Sequence, residues 1–189
     1  MSAGSGSTGA WVLLPVLGAP LAHAPVLRGD LLPGLARPLD LGTTVRGRRV
    51  FGDNKTWRGA LVMGTGTVAA SAGLHRSSWF RDRLPDALRA AGPWRYGPLL
   101  ALGVVGGELP NSFLKRQLGI APGRQRWTPA GVALVVFDQG DFVLGIWVAL
   151  LPLWRMPARD VARALAIVTA IHMGINVVGY AIGARDRPI

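Results

Sequence analysis

The chain contains no cysteine. That absence excludes disulfides, thiolate metal sites and cysteine nucleophiles. Histidine is scarce: His23, His75 and His172 are the only three, and they show no zinc-type spacing. There is no G-x-x-x-x-G-K run, so a Walker A phosphate loop is excluded. The first ten residues, MSAGSGSTGA, carry no charge. A secretory signal would open with a basic region, so residues 1–10 read as a disordered tail and Trp11 onward as a retained membrane segment. Acidic residues are few, 10 Asp and Glu against 21 Lys and Arg, for a formal charge of +11.

Apolar residues make up half of the 189, and the mean hydropathy is +0.32. That balance suits an integral membrane protein better than a soluble domain. Five segments, roughly 11–27, 59–75, 97–114, 130–154 and 160–183, approach the ~20 residues a helix needs to cross hydrocarbon. The predicted fold is therefore an all-α integral membrane protein of about five transmembrane helices with short cytoplasmic motif loops, residues 11–185 forming one domain. Pro15, Pro20 and Pro25 interrupt the first segment, which neighbouring helices can accommodate. Gly103-x-x-x-Gly107 and Gly179-x-x-x-Gly183 are small-residue spacings that predict close helix packing. Trp79, Phe80 and Trp94 in the 76–96 connection predict an interfacial helix without chemistry.

The basic residues lie mainly between apolar segments. Loops that face lipid headgroups or a phosphorylated ligand fit this better than nucleic acid does. Connections 28–58 and 115–129 and the C-terminal tail together hold thirteen Lys and Arg; the opposite side holds seven. The positive-inside rule places the first set in the cytoplasm and the N-terminus outside. A homodimer is compatible with this pattern.

Residues 107–141 concentrate the unusual chemistry. Glu108, Asp138 and Asp141 sit in apolar sequence, separated by a short loop with Lys115, Arg116, Arg124 and Arg126. Carboxylates inside an apolar helix are costly and face an interior or a water-filled cavity. Asp138 and Asp141 are three apart and would share a face of one helix. Two such acids with nothing between them would share a proton, whereas Mg²⁺ would let both ionise, and Mg²⁺ suits oxygen ligands completed by water and phosphate. Glu108, Ser112 and Arg116 recur at spacing four and share a face beside Lys115. Snorkelling explains Lys115 and Arg116 equally well, but not the deeper Glu108.

A second stretch, Arg48-Arg49-Val50-Phe51-Gly52-Asp53-Asn54-Lys55-Thr56-Trp57-Arg58-Gly59, joins a glycine turn to Lys-Thr at a helix start. Backbone N–H groups there, with Lys55 as a point charge, would cradle phosphate; a loop that holds lipid headgroups is the competing reading. In the last segment His172, Asn176 and Tyr180 repeat every four residues as one polar stripe, structural or substrate-facing.

Together RRVFGDNKTWRG, GELPNSFLKRQLGIAPG, FDQGDFVLG and the H-x3-N-x3-Y stripe resemble CDP-archaeol synthase, the archaeal relative of the phosphatidate cytidylyltransferases. AHAPVL and Pro38-Leu39-Asp40-Leu41-Gly42 add to the likeness, which covers about residues 20–183. The resemblance implies a five-span, cytoplasm-facing enzyme that joins CTP to a lipid phosphate and releases pyrophosphate. It implies Mg²⁺ on Asp138 and Asp141, with Glu108 as a third acid. It implies Lys55, Lys115 and Arg116 as phosphate-holding catalytic groups, and Gly52, Asp53, Asn54, Thr56, Ser112, His172, Asn176 and Tyr180 as substrate contacts. Asn54 stands where glycine is usual, Glu108 where Asp is usual, and Gly140 in place of an apolar residue. The Lys-Asp and His-Gly-Gly elements of the bacterial phosphatidate enzyme are absent. The residues by themselves leave open a small ion-coupled transporter built on the Asp pair, and a structural scaffold.

The topology is testable because any introduced cysteine is unique. Asp53→Cys and Gly123→Cys are expected to resist an impermeant maleimide in intact cells and to react in inverted vesicles. Labelling from the outside would overturn the orientation.

Overall fold

The computed structural model describes residues 8–122, 128–138 and 140–181. The chain opens with α1 (Thr8–Leu13), a 3₁₀ turn (Leu14–Leu17) and α2 (Gly18–Arg28). The 3₁₀ turn falls at Pro15, where the missing amide breaks the α ladder. A 3₁₀ turn (Pro33–Leu35) and a hairpin of β1 (Thr44–Val45) and β2 (Arg48–Arg49) follow. Then come α3 (Trp57–His75), α4 (Ser78–Arg81), α5 (Asp86–Ala91), α6 (Pro93–Gln117), α7 (Pro129–Asp138), α8 (Asp141–Leu150) and α9 (Ala158–Ala181). Residues 1–7, and with them most of the expected tail, lie outside the described residues, and helix begins at Thr8.

Among the described helices, Ala10–Arg28 is the one stretch long and apolar enough by itself to cross a membrane. The others depart from that pattern for visible reasons. The middle of α3 is Gly, Ala, Ser and Thr, α6 carries Arg95, Glu108, Lys115 and Arg116, and α9 carries Arg159, Asp160 and Arg163. Large apolar side chains nevertheless face outward along the rods: Leu21 is 74% exposed, Val148 58% and Ile171 54%. Apolar surface this extensive calls for an apolar surround.

The helices pack on α6. Its closest neighbour is α8, and the approach is backbone to backbone. A methyl at Gly103 would come within 2.5 Å of Ile146 Cα, and one at Gly107 within 2.8 Å of Phe142 Cα. The Gly103-x-x-x-Gly107 spacing is thus the contact surface of this crossing. Gly183 of the second spacing lies outside the described residues. The core, with Val12, Phe80, Leu88, Tyr96, Leu100, Val104, Ile146 and Leu150, fills the half of the bundle away from the 29–56 connection.

Two expectations need correction. The 76–96 connection holds two short helices rather than one interfacial helix, and Phe80 and Leu88 turn fully inward. Trp79 instead meets Trp11 edge-on at 4.8 Å, with Arg83 over both rings, and Trp94 stays exposed. Asp138 and Asp141 do not share one helix: Asp138 ends α7, Asp141 begins α8, and Gly140 N–H caps back on Phe137 O. Glycine in an apolar helix leaves the backbone free to break there.

The 29–56 connection is held by one carboxylate. Asp40 accepts hydrogen bonds from the N–H groups of Gly42 (3.1 Å), Phe51 (2.9 Å) and Gly52 (2.9 Å), and from Arg49 Nε (3.3 Å) and Nη2 (2.5 Å). Leu39 N–H donates to Lys55 O at 2.7 Å, so the clasp also fixes where Lys55 leaves the loop. Burial alone would raise the Asp40 pKa, but the hydrogen bonds from Arg49, Gly52, Phe51 and Gly42 outweigh it and hold the carboxyl well below the usual range. Because the folded value is depressed, the clasp contributes fully above the unfolded carboxylate pKa and is lost as pH falls through the folded one. Hydrogen exchange in residues 38–56, corrected for intrinsic rates, is expected to stay slow down to about pH 5 and to quicken below it. Asp40→Asn should quicken it above about pH 5, by roughly 1.5–3 kcal/mol of local stability, and flatten the acid response. An acid response unchanged by Asp40→Asn would show that another group is responsible.

Candidate active site

Three stretches of sequence converge on the 117 end of α6. Glu108, Asn111, Ser112 and Lys115 recur at spacings of three and four, so α6 presents them along one stripe. Lys55 reaches this stripe from the loop and pairs with Glu108. On the other side Lys115 Nζ lies 2.7 Å from Asp138 Oδ1. Asn111 bridges the two acids of the α7–α8 break, with its Nδ2 at 2.6 Å from Asp138 and 3.4 Å from Asp141. The helix break therefore does not separate the acids functionally: one amide reaches both. Asp141 is 3% exposed, whereas the Asp138 side chain is 50% exposed. Of the pair, Asp138 is the more accessible.

Arg116 is a buried guanidinium, 8% exposed. Among the described residues neither its Nε nor its Nη1 has a hydrogen-bond partner. An unpaired buried cation is strongly unfavourable, so such an arrangement calls for an anion. The glycine turn lies directly against it. Gly52 has φ +86°, which glycine adopts readily, and a methyl there would sit 3.3 Å from Arg116 Cδ and 3.2 Å from Pro122. Asp53 pairs with Arg49 at 2.8 Å and lies within electrostatic reach of Arg116. Thr56 caps α3, its Oγ1 accepting from Gly59 N–H at 3.1 Å. Asn54 is exposed beside Lys55, and Ser112 is buried on the α6 stripe.

The side chains of His172, Asn176 and Tyr180 lie outside what is described of α9, as do Arg124 and Arg126 in the 123–127 segment. Sequence reading passed over Asn111 as a contributor. Its signal was available: a polar residue three after Glu108 and four before Lys115 belongs to the same helical face. It also passed over His23 and Arg58, which line a cavity with Lys55 and Glu108; neither has a periodic partner that would mark it.

Among the described residues no three acidic or imidazole groups converge closely enough to hold a metal by themselves. Glu108 pairs with Lys55 and Asp138 with Lys115, so either acid would exchange a lysine for a cation. Asn111 turns its Nδ2 to both Asp138 and Asp141 and leaves its Oδ1 buried without a partner among the described residues. The two carboxylates fit a hard cation whose other ligands are water and phosphate, and the amide oxygen joins them only when the Asn111 side chain turns over.

The family model described as CarS-like, CDP-archaeol synthase, matches residues 9–189. A CDP-archaeol synthase of Halobacterium salinarum is 36% identical over 185 residues, covering 94% of this chain and 93% of the relative. One of Pyrococcus furiosus is 34% identical over 179 residues, covering 94% and 95%. A solved structure, described as an intramembrane enzyme for archaeal membrane lipids biosynthesis, is 30% identical, with a TM-score of 0.63 over 88% of this chain and 91% of that one. The chain belongs to the CarS-like CDP-archaeol synthase family.

Proposed function

We propose that this protein is a membrane-embedded cytidylyltransferase that transfers CMP from CTP to an isoprenoid-ether glycerol phosphate, giving a CDP-lipid of the archaeol class and pyrophosphate. Family membership supports the cytidylyltransferase and the CDP-lipid product. The observation that carries the site is the buried Arg116 guanidinium, whose Nε and Nη1 have no hydrogen-bond partner among the described residues, set against the Gly52 turn. The ion-coupled transporter reading finds no support in these comparisons. The protein is read as crossing the cell membrane five times, through α1–α2, α3, α6, α7–α8 and α9. The site then opens to the cytoplasm, as the distribution of basic residues favours.

In this reading a lipid phosphate oxygen attacks the α-phosphorus of CTP in line. The new P–O bond forms as the bond to the β-phosphate breaks, and pyrophosphate leaves with its electron pair. The nucleophile is already ionised, so no strong general base is needed. Positioning and charge neutralisation supply the catalysis. Arg116, Lys115 and Lys55 hold phosphate oxygens through charge-assisted bonds, and Ser112 donates one more. Asn111, fixed between the acids, orients them. Asp138 and Asp141 would hold Mg²⁺, which when bound would neutralise charge on the departing pyrophosphate.

Asp138→Asn and Asp141→Asn keep the side-chain shape and remove the charge. Each is expected to abolish Mg²⁺-dependent transfer while the melting temperature in detergent holds or rises, because neutralising a buried acid lowers its desolvation cost. Full activity in either variant would eliminate the metal site, and unfolding of both would assign the acids to a structural ion pair.

Arg116→Gln and Lys55→Ala are each expected to lower turnover roughly ten- to hundredfold, the equivalent of one charge-assisted hydrogen bond. Arg116→Gln should also raise thermal stability in the absence of CTP, since it removes an unpaired buried charge. Unchanged kinetics together with lost stability would make Arg116 a packing residue.

A further inference from the structure

The 29–56 connection does not rise freely from the bundle. Hydrogen bonds tie it to the first turn of α3: Trp57 N–H donates to Arg37 O at 2.9 Å, and Arg58 Nη1 donates to Asp30 Oδ1 at 2.7 Å and to Leu31 O at 3.2 Å. The hairpin is tied in turn to the end of α6, through Arg48 Nη1 to Gln117 O and Gln117 Nε2 to Arg49 O. With α3 read as a span, its 19 residues rise about 28 Å, close to the hydrocarbon thickness, so Trp57 and Arg58 stand at headgroup level. Asp30, Leu31 and Arg37 are then pinned at that level too.

We infer that residues 30–46 form a docking surface for the bilayer face from which α2 and α3 emerge, with Leu32, Leu35, Leu41 and Val45 entering its interface and Arg37 and Arg46 meeting anionic lipid headgroups. The surface is separate from the transfer site, and the inference goes beyond the transferase reading, resting on the membrane placement of α3.

Three observations carry it. First, the connection turns large apolar side chains outward. Leu32 is 50% exposed and Leu41 70%, and Leu35 and Val45 are exposed as well. Second, the backbone is held so as to present them. Leu32 has φ +57°, Leu41 +47° and Arg46 +52°, in the left-handed region that residues with a Cβ rarely adopt. Leu41 is fixed there by the bonds around it: its N–H donates to Pro38 O at 3.1 Å, and Thr43 N–H donates to Asp40 O at 2.7 Å, beside the Asp40 clasp. Leu32 caps the 3₁₀ turn, and Leu35 N–H donates to its carbonyl at 3.0 Å. In water a disfavoured backbone that exposes a leucine is unfavourable on both counts. Against lipid the leucine gains burial that offsets the strain. Third, the charge is one-sided. The acids of this stretch are engaged, Asp30 with Arg58 and Asp40 with Arg49. Arg28, Arg37 and Arg46 are exposed and have no acidic partner among the described residues. Unpaired bases beside outward leucines match anionic headgroups above alkyl chains. A soluble protein could also meet leucines and arginines, but the ties to α3 hold this surface within the headgroup layer.

Docking also bears on the site. Asp40, next to Leu41, accepts from Gly52 N–H, and Leu39 N–H donates to Lys55 O, so a seated Leu41 steadies the turn that carries Lys55. Anionic lipid is therefore expected to raise turnover, and this consequence alone depends on the transferase reading.

The test uses the full chain in lipid nanodiscs. Because the protein lacks cysteine, Leu32→Cys, Leu41→Cys and Asp53→Cys can each carry a single nitroxide. Electron paramagnetic resonance compares the accessibility of each label to oxygen, which partitions into lipid, and to a water-soluble nickel chelate. Labels at positions 32 and 41 are expected to favour oxygen, and the label at position 53 the chelate. Labels at 32 and 41 as open to the chelate as the one at 53 would overturn the inference. Exchanging a zwitterionic bilayer for one containing phosphatidylglycerol should deepen the labels at 32 and 41, and Arg37→Gln combined with Arg46→Gln should abolish that shift. Equal depth in the two bilayers would overturn the headgroup assignment. Leu32→Gln combined with Leu41→Gln is expected to lower turnover several-fold in anionic nanodiscs and to leave turnover in detergent unchanged; an equal loss in both would make these leucines folding determinants and overturn the docking role. Absence of CMP transfer by the unmodified protein, with the labels at 32 and 41 immersed, would sink the transferase reading while the docking surface stood.

Discussion

Every charge that α6 carries into the bundle must find an opposite charge, and the rest of the structure is arranged around that requirement. Taking a carboxylate or ammonium out of water costs several kcal/mol or more unless a partner and further hydrogen bonds compensate. Glu108 is compensated by Lys55, which arrives from a loop 53 residues earlier in the chain. Asp138 is compensated by Lys115 and Asn111. Arg116 has Asp53 within electrostatic reach but no hydrogen-bond partner for its Nε or Nη1 among the described residues. The pairings also explain the unusual backbone. Asp40 clasps the loop from which Lys55 reaches α6, and Asp138 and Asp141 reach one amide across the α7–α8 break.

Packing and chemistry are separated along the bundle. The Phe80, Leu88, Tyr96, Leu100, Ile146 and Leu150 core fills one half, where α4 and α5 fold inward to complete it. The charged stripe occupies the other. Between them, the glycine-mediated crossing of α6 and α8 brings two backbones together with no side chains between, so Asp141 is placed by main-chain contact. Backbone contact of this kind is stiff, and a metal or triphosphate site needs ligands held to within a fraction of an ångström.

Much of this was legible in the sequence. Apolar runs of span length, basic residues gathered in the connections, the acids in apolar sequence and the Gly-Asp-Asn-Lys-Thr loop are one-dimensional signals, since burial cost, helical period and turn chemistry act on residues near one another. They determined the class of protein, the helical segments and the candidate acids and bases. Tertiary structure alone decided which base meets which acid, because Lys55–Glu108 and Lys115–Asp138 join residues far apart in sequence. It also decided that Asp138 and Asp141 sit across a helix break, since spacing three reads the same whether or not the helix continues. Asn111, His23 and Arg58 acquire their places only when α2, α3 and α6 pack, for a polar residue with no periodic partner carries no mark of the cavity it will line.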